Sequence, residues 1–312
     1  MEQRNPASDA KKGRLDKRIL IFLALTFVLT WGLLTVSLSF GVTYGTMTNT
    51  LIFSLCMLMP AISSLLTRLV TKEGFSDMLL RPRLKDKKNL GAYALAWFLP
   101  AALIFAGAAI FYLVVPGSFD PTFAPVVALI GDQNISVATV VLLQAGQALL
   151  LAPVLNIVFT LGEELGWRGY LLPHLLKETT PRRAILTSGL IWGLWHSPMI
   201  AMGHNFGVGY WGYPFTGVIL MTVFCVFFGA ILSYVTLKTK SVIPAAVGHG
   251  ALNGIAALVA FANTGAISPL LGPYAMSLIP LVTTVIAGVI CWKKAEQIAA
   301  APETESEPQM GA

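Results

Sequence analysis

Glu163 and Glu164 stand side by side where an apolar helix is still running, with Arg168 four residues on. Two of the four histidines, His196 and His249, also fall inside apolar stretches. Ionisable groups at such depth are costly, so they are kept where they pair or do chemistry. The first segment reads Gly162-Glu163-Glu164-Leu165-Gly166-Trp167-Arg168-Gly169. On a continuing helix Glu164 and Arg168 are i,i+4 neighbours and can pair. Glu163 then points about 100° away and lacks that partner, on nearly the face of Asn156. This suits one carboxylate held in an ion pair and one serving as a general base. The plain alternative, two solvated acids at a helix end, sits poorly with the macrodipole, which disfavours negative charge at a C-terminus.

A second segment, Gly189-Leu190-Ile191-Trp192-Gly193-Leu194-Trp195-His196-Ser197-Pro198, puts Trp192 one turn before His196. Pro198 disturbs the helix just past the imidazole. A third, Gly248-His249-Gly250-Ala251-Leu252-Asn253-Gly254, presents His249 and Asn253 at i,i+4. Each alone could be a hydrogen bond between helices. Each also carries a Gly-x-x-x-Gly, which permits close helix approach in lipid. Together they predict that the fourth, fifth and seventh spans pack closely and bring Glu163, His196, His249 and Asn253 to one pocket. His174 reads as solvated and His204 as part of the outer mouth. Cys56, Cys225 and Cys291 lie in apolar runs without metal-ligand spacing and read as packing residues.

The elements that must hold these groups are membrane helices. Of 312 residues 55% are hydrophobic and 12% charged, about half the charge of a soluble domain. Apolar runs near 19–42, 50–70, 90–115, 137–161, 183–203, 214–236, 241–262 and 269–292 predict an all-α polytopic protein of about eight spans. The first run is too long for a signal peptide and reads as a retained span. The N-terminus, the gaps after spans two, four and six, and the C-terminus carry 6, 7, 4, 2 and 2 basic residues, counting those at span edges. The other gaps carry none, which puts both termini in the cytoplasm. The net charge of +6 is that of an inner surface near anionic lipid and does not call for nucleic acid. The chain reads as a cytoplasmic tail 1–18, a membrane domain 19–292 and a disordered tail 293–312.

Glu-Glu-x-x-x-Arg, aromatic-x-x-x-His and His-x-x-x-Asn, in that order on membrane helices, resemble the CPBP family. That family comprises type II CAAX prenyl endopeptidases and bacteriocin-processing and immunity proteins. The resemblance covers roughly residues 50–262, with its core at 137–262, and looks closest to the bacterial branch, which implies a bacterial plasma membrane. It implies that Glu163 and His196 activate water and that His249 and Asn253 stabilise the oxyanion. Trp192 stands where the best-known members have Phe.

Peptide hydrolysis of a membrane-associated substrate by bound water fits these residues, since no Gly-x-Ser-x-Gly elbow is in a plausible place. Glu163, His196 and His249 would also suit zinc with an open fourth position, although no His-Glu-x-x-His demands a metal. Two other readings stay open: a non-catalytic immunity or scaffold protein, and a proton-coupled transporter. The transporter would want related halves, and these motifs do not recur in residues 1–150. At 1.5 Å per residue His196 lies roughly 20 Å from Arg183 and His249 roughly 14 Å from Lys240. Glu163 reaches that depth if span four kinks near Pro153 or starts outside the membrane core. The site is then expected to open to the cytoplasmic half of the bilayer.

Overall fold

The computed structural model describes residues 16–131 and 133–301. Tail residues 1–15 and 302–312 therefore lie outside it. Among the described residues the chain is helical, the one β contact being an isolated bridge between Phe119 and Asn263. Helices α1 (Lys17–Ser39), α2 (Met47–Thr71) and α3 (Lys87–Val114) come first, followed by a short α4 (Ala124–Ile130). A broken helical path follows: α5 (Val137–Gly146), a π turn Gln147–Leu151, α6 (Ala152–Leu155), α7 (Ile157–Gly166), a π turn Trp167–Leu171 and α8 (Leu172–Glu178). Then come α9 (Pro181–Trp195), α10 (Ser197–Ala201), α11 (Phe215–Thr239), α12 (Ile243–Ile255), a 3₁₀ turn Leu258–Ala262 and α13 (Leu281–Ala300). Side chains cap several starts, Thr46 accepting from Asn49 N at 3.2 Å and Ser136 from Thr139 N at 3.0 Å.

Among the described residues six stretches are long and apolar enough to cross a membrane: α1, α2, α3, Val137–Leu155, α11 and Ile243–Ala262. The fifth and eighth expected spans depart from the sequence reading. α9 stops at Trp195 because the chain breaks at His196, ahead of Pro198. α13 begins at Leu281, after turns over 269–280, and carries Lys293, Lys294 and Glu296 in its second half. It runs on to Ala300, so the tail expected to be disordered from 293 starts as helix. Its Lys-Lys-Ala-Glu-Gln-Ile-Ala-Ala sequence consists mostly of strong helix formers. The fourth span departs most. The expected inner loop after residue 161 is helix as far as Glu178, because its charges are paired within the bundle rather than solvated.

Burial sorts the spans: 61% of the apolar window in α11 is buried, against 17% for Val137–Leu155. The first is the central post and the second faces outward. The three glycine pairs each permit a close crossing, the third between the seventh and fourth spans as expected and the first two with other partners. A Cβ on Gly162 would lie 2.8 Å from the Met57 carbonyl, and one on Gly166 would overlap Pro60, so α7 lies on α2. Gly189 and Gly193 meet Val226 and Thr222 of α11, while Gly250 and Gly254 meet Pro153 and Ala152 of the fourth span. Gly166→Ala is expected to cost about 1–3 kcal/mol, since the Pro60 ring and backbone cannot turn aside. Gly146, with open space where its Cβ would stand, is the control. Thermal unfolding in detergent should show Gly166→Ala melting lower and Gly146→Ala unchanged or higher.

The basic residues gather at one end. There Arg18 lies 3.9 Å from Glu73, which accepts from Tyr170 Oη at 2.7 Å and contacts His174 Nε2 at 3.0 Å. His174, expected to be solvated, is therefore buried, its Nδ1–H donating to the Tyr170 carbonyl at 2.8 Å. Burial pushes the Glu73 carboxyl up, but hydrogen bonds from Tyr170, Thr71 and His174, with the His174 charge, outweigh it and hold the group below the usual carboxylate range. Buried Arg68 pairs with Asp77 and lies 5.1 Å from the centre of the Tyr170 ring.

Candidate active site

The site is built where α7, α9 and α12 meet. Glu163 and Glu164 sit on α7, buried at 2% and 0% exposure. Their environments differ. Arg168 Nη1 lies 3.1 Å from both Glu164 oxygens, and its guanidinium stands 4.3 Å from the centre of the Trp192 ring. Gly229 on α11 leaves the space, since a Cβ there would come within 2.7 Å of Arg168 Nη2. His249 Nδ1 lies 2.9 Å from Glu164 Oε1. A carboxylate oxygen accepts, so Nδ1–H is the donor and Nε2 is turned away from the pair. Glu164 thus ties together α7, α12 and, through Arg168, the Trp192 face of α9.

Glu163 is held otherwise. Its Oε2 accepts from Trp192 Nε1 at 2.8 Å and from Trp167 Nε1 at 3.3 Å. Among the described residues its other oxygen has no such partner, and Glu163 lines the cavity. Indole N–H can only donate, so Oε2 is the acceptor in both bonds.

Trp192 therefore organises the site. Beyond its N–H and its face, its carbonyl accepts from His196 Nδ1–H at 2.9 Å, which leaves Nε2 of the neutral ring as an acceptor. Its ring meets His196 and His249 edge-on, with centroids at 5.8 and 5.4 Å. A Phe here would keep the wall and lose the 2.8 Å bond to Glu163. On the other side of α9, Trp195 donates to Thr30 Oγ1 at 2.9 Å and its carbonyl accepts from Trp31 at 3.1 Å, which fixes the end of α9 against α1.

A cavity of about 300 Å³ brings together Glu163, His196, His249 and Asn253, with Trp192 in its wall. Asn253 is exposed to it, one turn beyond His249 on α12. Glu164 and Arg168 lie behind this surface and do not line it. Asn156 serves elsewhere: its Nδ2 donates to the Gly250 carbonyl at 3.3 Å, beside Thr160 Oγ1 donating to Ala246 O at 2.9 Å. These two bonds seat α12 on the broken fourth span.

The opening differs from the expected one. The cavity walls rise to Phe53, His204, Asn205 and Met276, away from the basic end. Towards the basic end the floor is closed by Trp167, Tyr170, Leu171 and Phe22, all fully buried. Glu163 achieves its depth because the helix runs another fifteen residues to Glu178, so it is not at an inner helix end at all.

Among the described residues no three His, Cys, Asp or Glu groups gather as a metal set. One Glu163 oxygen is taken by two indoles, and the Nδ1 atoms of His196 and His249 face a carbonyl and Glu164. A zinc ion would have to be held by the other Glu163 oxygen and the two Nε2 atoms, with the Nδ1 partners fixing the rings behind them.

Residues 145–255 match the family described as Type II CAAX prenyl endopeptidase Rce1-like. A stretch of 92 residues is 29% identical to CAAX prenyl protease 2 of Methanococcus maripaludis, covering 29% of this chain and 34% of that protein. The chain therefore spans about a third of the length of the curated relative it matches. The matched segment contains both acids, both cavity histidines and Asn253, so the similarity to that family falls on the part of the chain that builds the cavity.

Proposed function

We propose that this chain is an intramembrane endopeptidase that hydrolyses a peptide bond of a membrane-associated protein or peptide, in a bacterial plasma membrane, with water as nucleophile. The observation that carries this reading is the shared cavity, where Glu163, His196, His249 and Asn253 each present a group not used in holding the fold. Glu163 takes a proton from water as the resulting hydroxide adds to the scissile carbonyl carbon. His196 Nε2 accepts a hydrogen bond from that water and orients it. The carbonyl oxygen, now negative, accepts from Asn253 and from the Nε2–H of His249 when that ring is protonated, a charge that Glu164 supports. Collapse breaks the C–N bond, and the proton held on Glu163 passes to the leaving amine. The products are a carboxylate and a free amine.

The test is cleavage by the purified protein in liposomes, using a peptide ending in a prenylated cysteine motif and its unprenylated counterpart. Cleavage of either at a defined bond supports the reading, and comparing the two reports whether the lipid is required. Activity is expected to survive chelator. Loss with chelator and return with zinc would replace the metal-free mechanism. No cleavage by folded protein, with tight binding of either peptide, would favour the non-catalytic binder instead.

A further inference from the structure

We infer that the peptide enters this site from the non-cytoplasmic side of the membrane. Only the word peptide rests on the hydrolytic reading; the side of the opening stands on separate observations.

The first is charge. The loops 40–46, 115–136, 202–214 and 263–280 contain no Lys or Arg. They form the end opposite the one where Arg18, Glu73 and His174 meet and where Val242 N donates to Leu79 O at 2.9 Å. At the basic end Lys294 also lies 5.8 Å from the Tyr234 ring, bringing the ends of α11 and α13 to the same level. Such asymmetry in short loops retains the basic end in the cytoplasm, so the other end faces outward.

The second is the depth and direction of the cavity. Its α11 wall is Met221 and Phe224, six and nine residues after that helix begins at Phe215 on the outer side. At 1.5 Å per residue Phe224 is about 14 Å from the outer end of α11 and about 23 Å from the inner end. The rim residues His204 and Asn205 belong to the outer loop 202–214, and Met276 to the loop 263–280. His204, Asn205, Phe53 and Ala256 are half-buried and Asn253 is exposed, so the wall opens as it rises.

The third is the seal below. Phe22 packs edge-on against Trp167 at 5.9 Å, and Trp167 against Trp195 at 5.8 Å. Beneath them lie Tyr170, Arg68, Glu73 and His174 in a bonded network. A substrate coming from the cytoplasm would have to break an aromatic layer and strip buried charges of their partners. From outside it meets only a rim. The substrates in view are therefore membrane-anchored or translocated segments whose scissile bond lies within the outer half of the bilayer.

The test uses accessibility and needs no cleavage. Cys56, Cys225 and Cys291 are buried, so the full-length parent chain serves as the unlabelled blank. His204→Cys on the rim, Ala256→Cys on the wall and Lys177→Cys at the basic end are treated with a membrane-impermeant maleimide in right-side-out and inverted vesicles. Labelling is normalised to that after denaturation. Expected is labelling of the 204 and 256 positions in right-side-out vesicles only, and of position 177 in inverted vesicles only. Labelling of 204 and 256 from the inverted side overturns the inference, as does a position 256 that labels from neither side while 204 labels. An inactive protein with the expected labelling would sink the hydrolytic reading and leave the opening intact. Cleavage with reversed labelling would do the opposite.

Discussion

Glu163→Gln is expected to abolish cleavage to within assay limits, a fall of about 10²–10⁴-fold in turnover, while the protein folds and melts as before. The reason lies in the two indoles. Trp192 and Trp167 both donate to Oε2, so a glutamine will set its amide oxygen there and keep both bonds. Its NH₂ then occupies the position of the cavity-facing oxygen. A group that accepts a proton is replaced by one that can only offer hydrogen bonds, with almost no change in shape. Substrate binding should be little altered, so the loss should appear in kcat rather than KM. Near-native cleavage by Glu163→Gln would remove Glu163 as the base.

Glu164→Gln should damage both stability and turnover. From sequence alone its role is an ion pair with Arg168, and losing that pair would mainly destabilise. In the structure Arg168 is 1% exposed and Glu164 is its carboxylate partner, so truncating the pair should cost about 3–5 kcal/mol. The same carboxylate also holds His249 Nδ1 at 2.9 Å. Loss of the acid behind a working imidazole misplaces the ring and removes support for its charged form, and in serine proteases costs up to ~10⁴-fold. Melting temperature together with kcat per folded molecule separates the two effects. If kcat per folded molecule is unchanged, His249 does not act through Glu164.

Much of this was legible in the residues, and the failures have a common cause. Hydrophobic runs mark helices well where the helix faces lipid, as in α1 to α3, because nothing polar interrupts them. They fail from Leu161 to Glu178, where buried charges make a core helix read as a loop. Arg168 beside Glu164 follows from i,i+4 spacing, as does Trp167 beside Glu163. That second relation is harder to read because tryptophan counts as bulk before it counts as a donor. His249 against Glu164 spans 85 residues and no local period encodes it. The same holds for His174, whose burial depends on Glu73, 101 residues away. Gly-x-x-x-Gly marked close crossings without naming partners, since a gap at a glycine says only that some backbone fills it.

The two bonds to Oε2 also break the symmetry of a group that in water has two equivalent oxygens. Only the other oxygen is left without such a bond, so a water activated by Glu163, as proposed, would stand on a single line relative to α7. A planar carbonyl has two faces, and which one meets that line depends on the N-to-C direction in which the peptide lies across the cavity. On the proposed reading the two indole nitrogens thus make the two directions of threading inequivalent, because reversing the peptide moves its leaving nitrogen to the other side of that line.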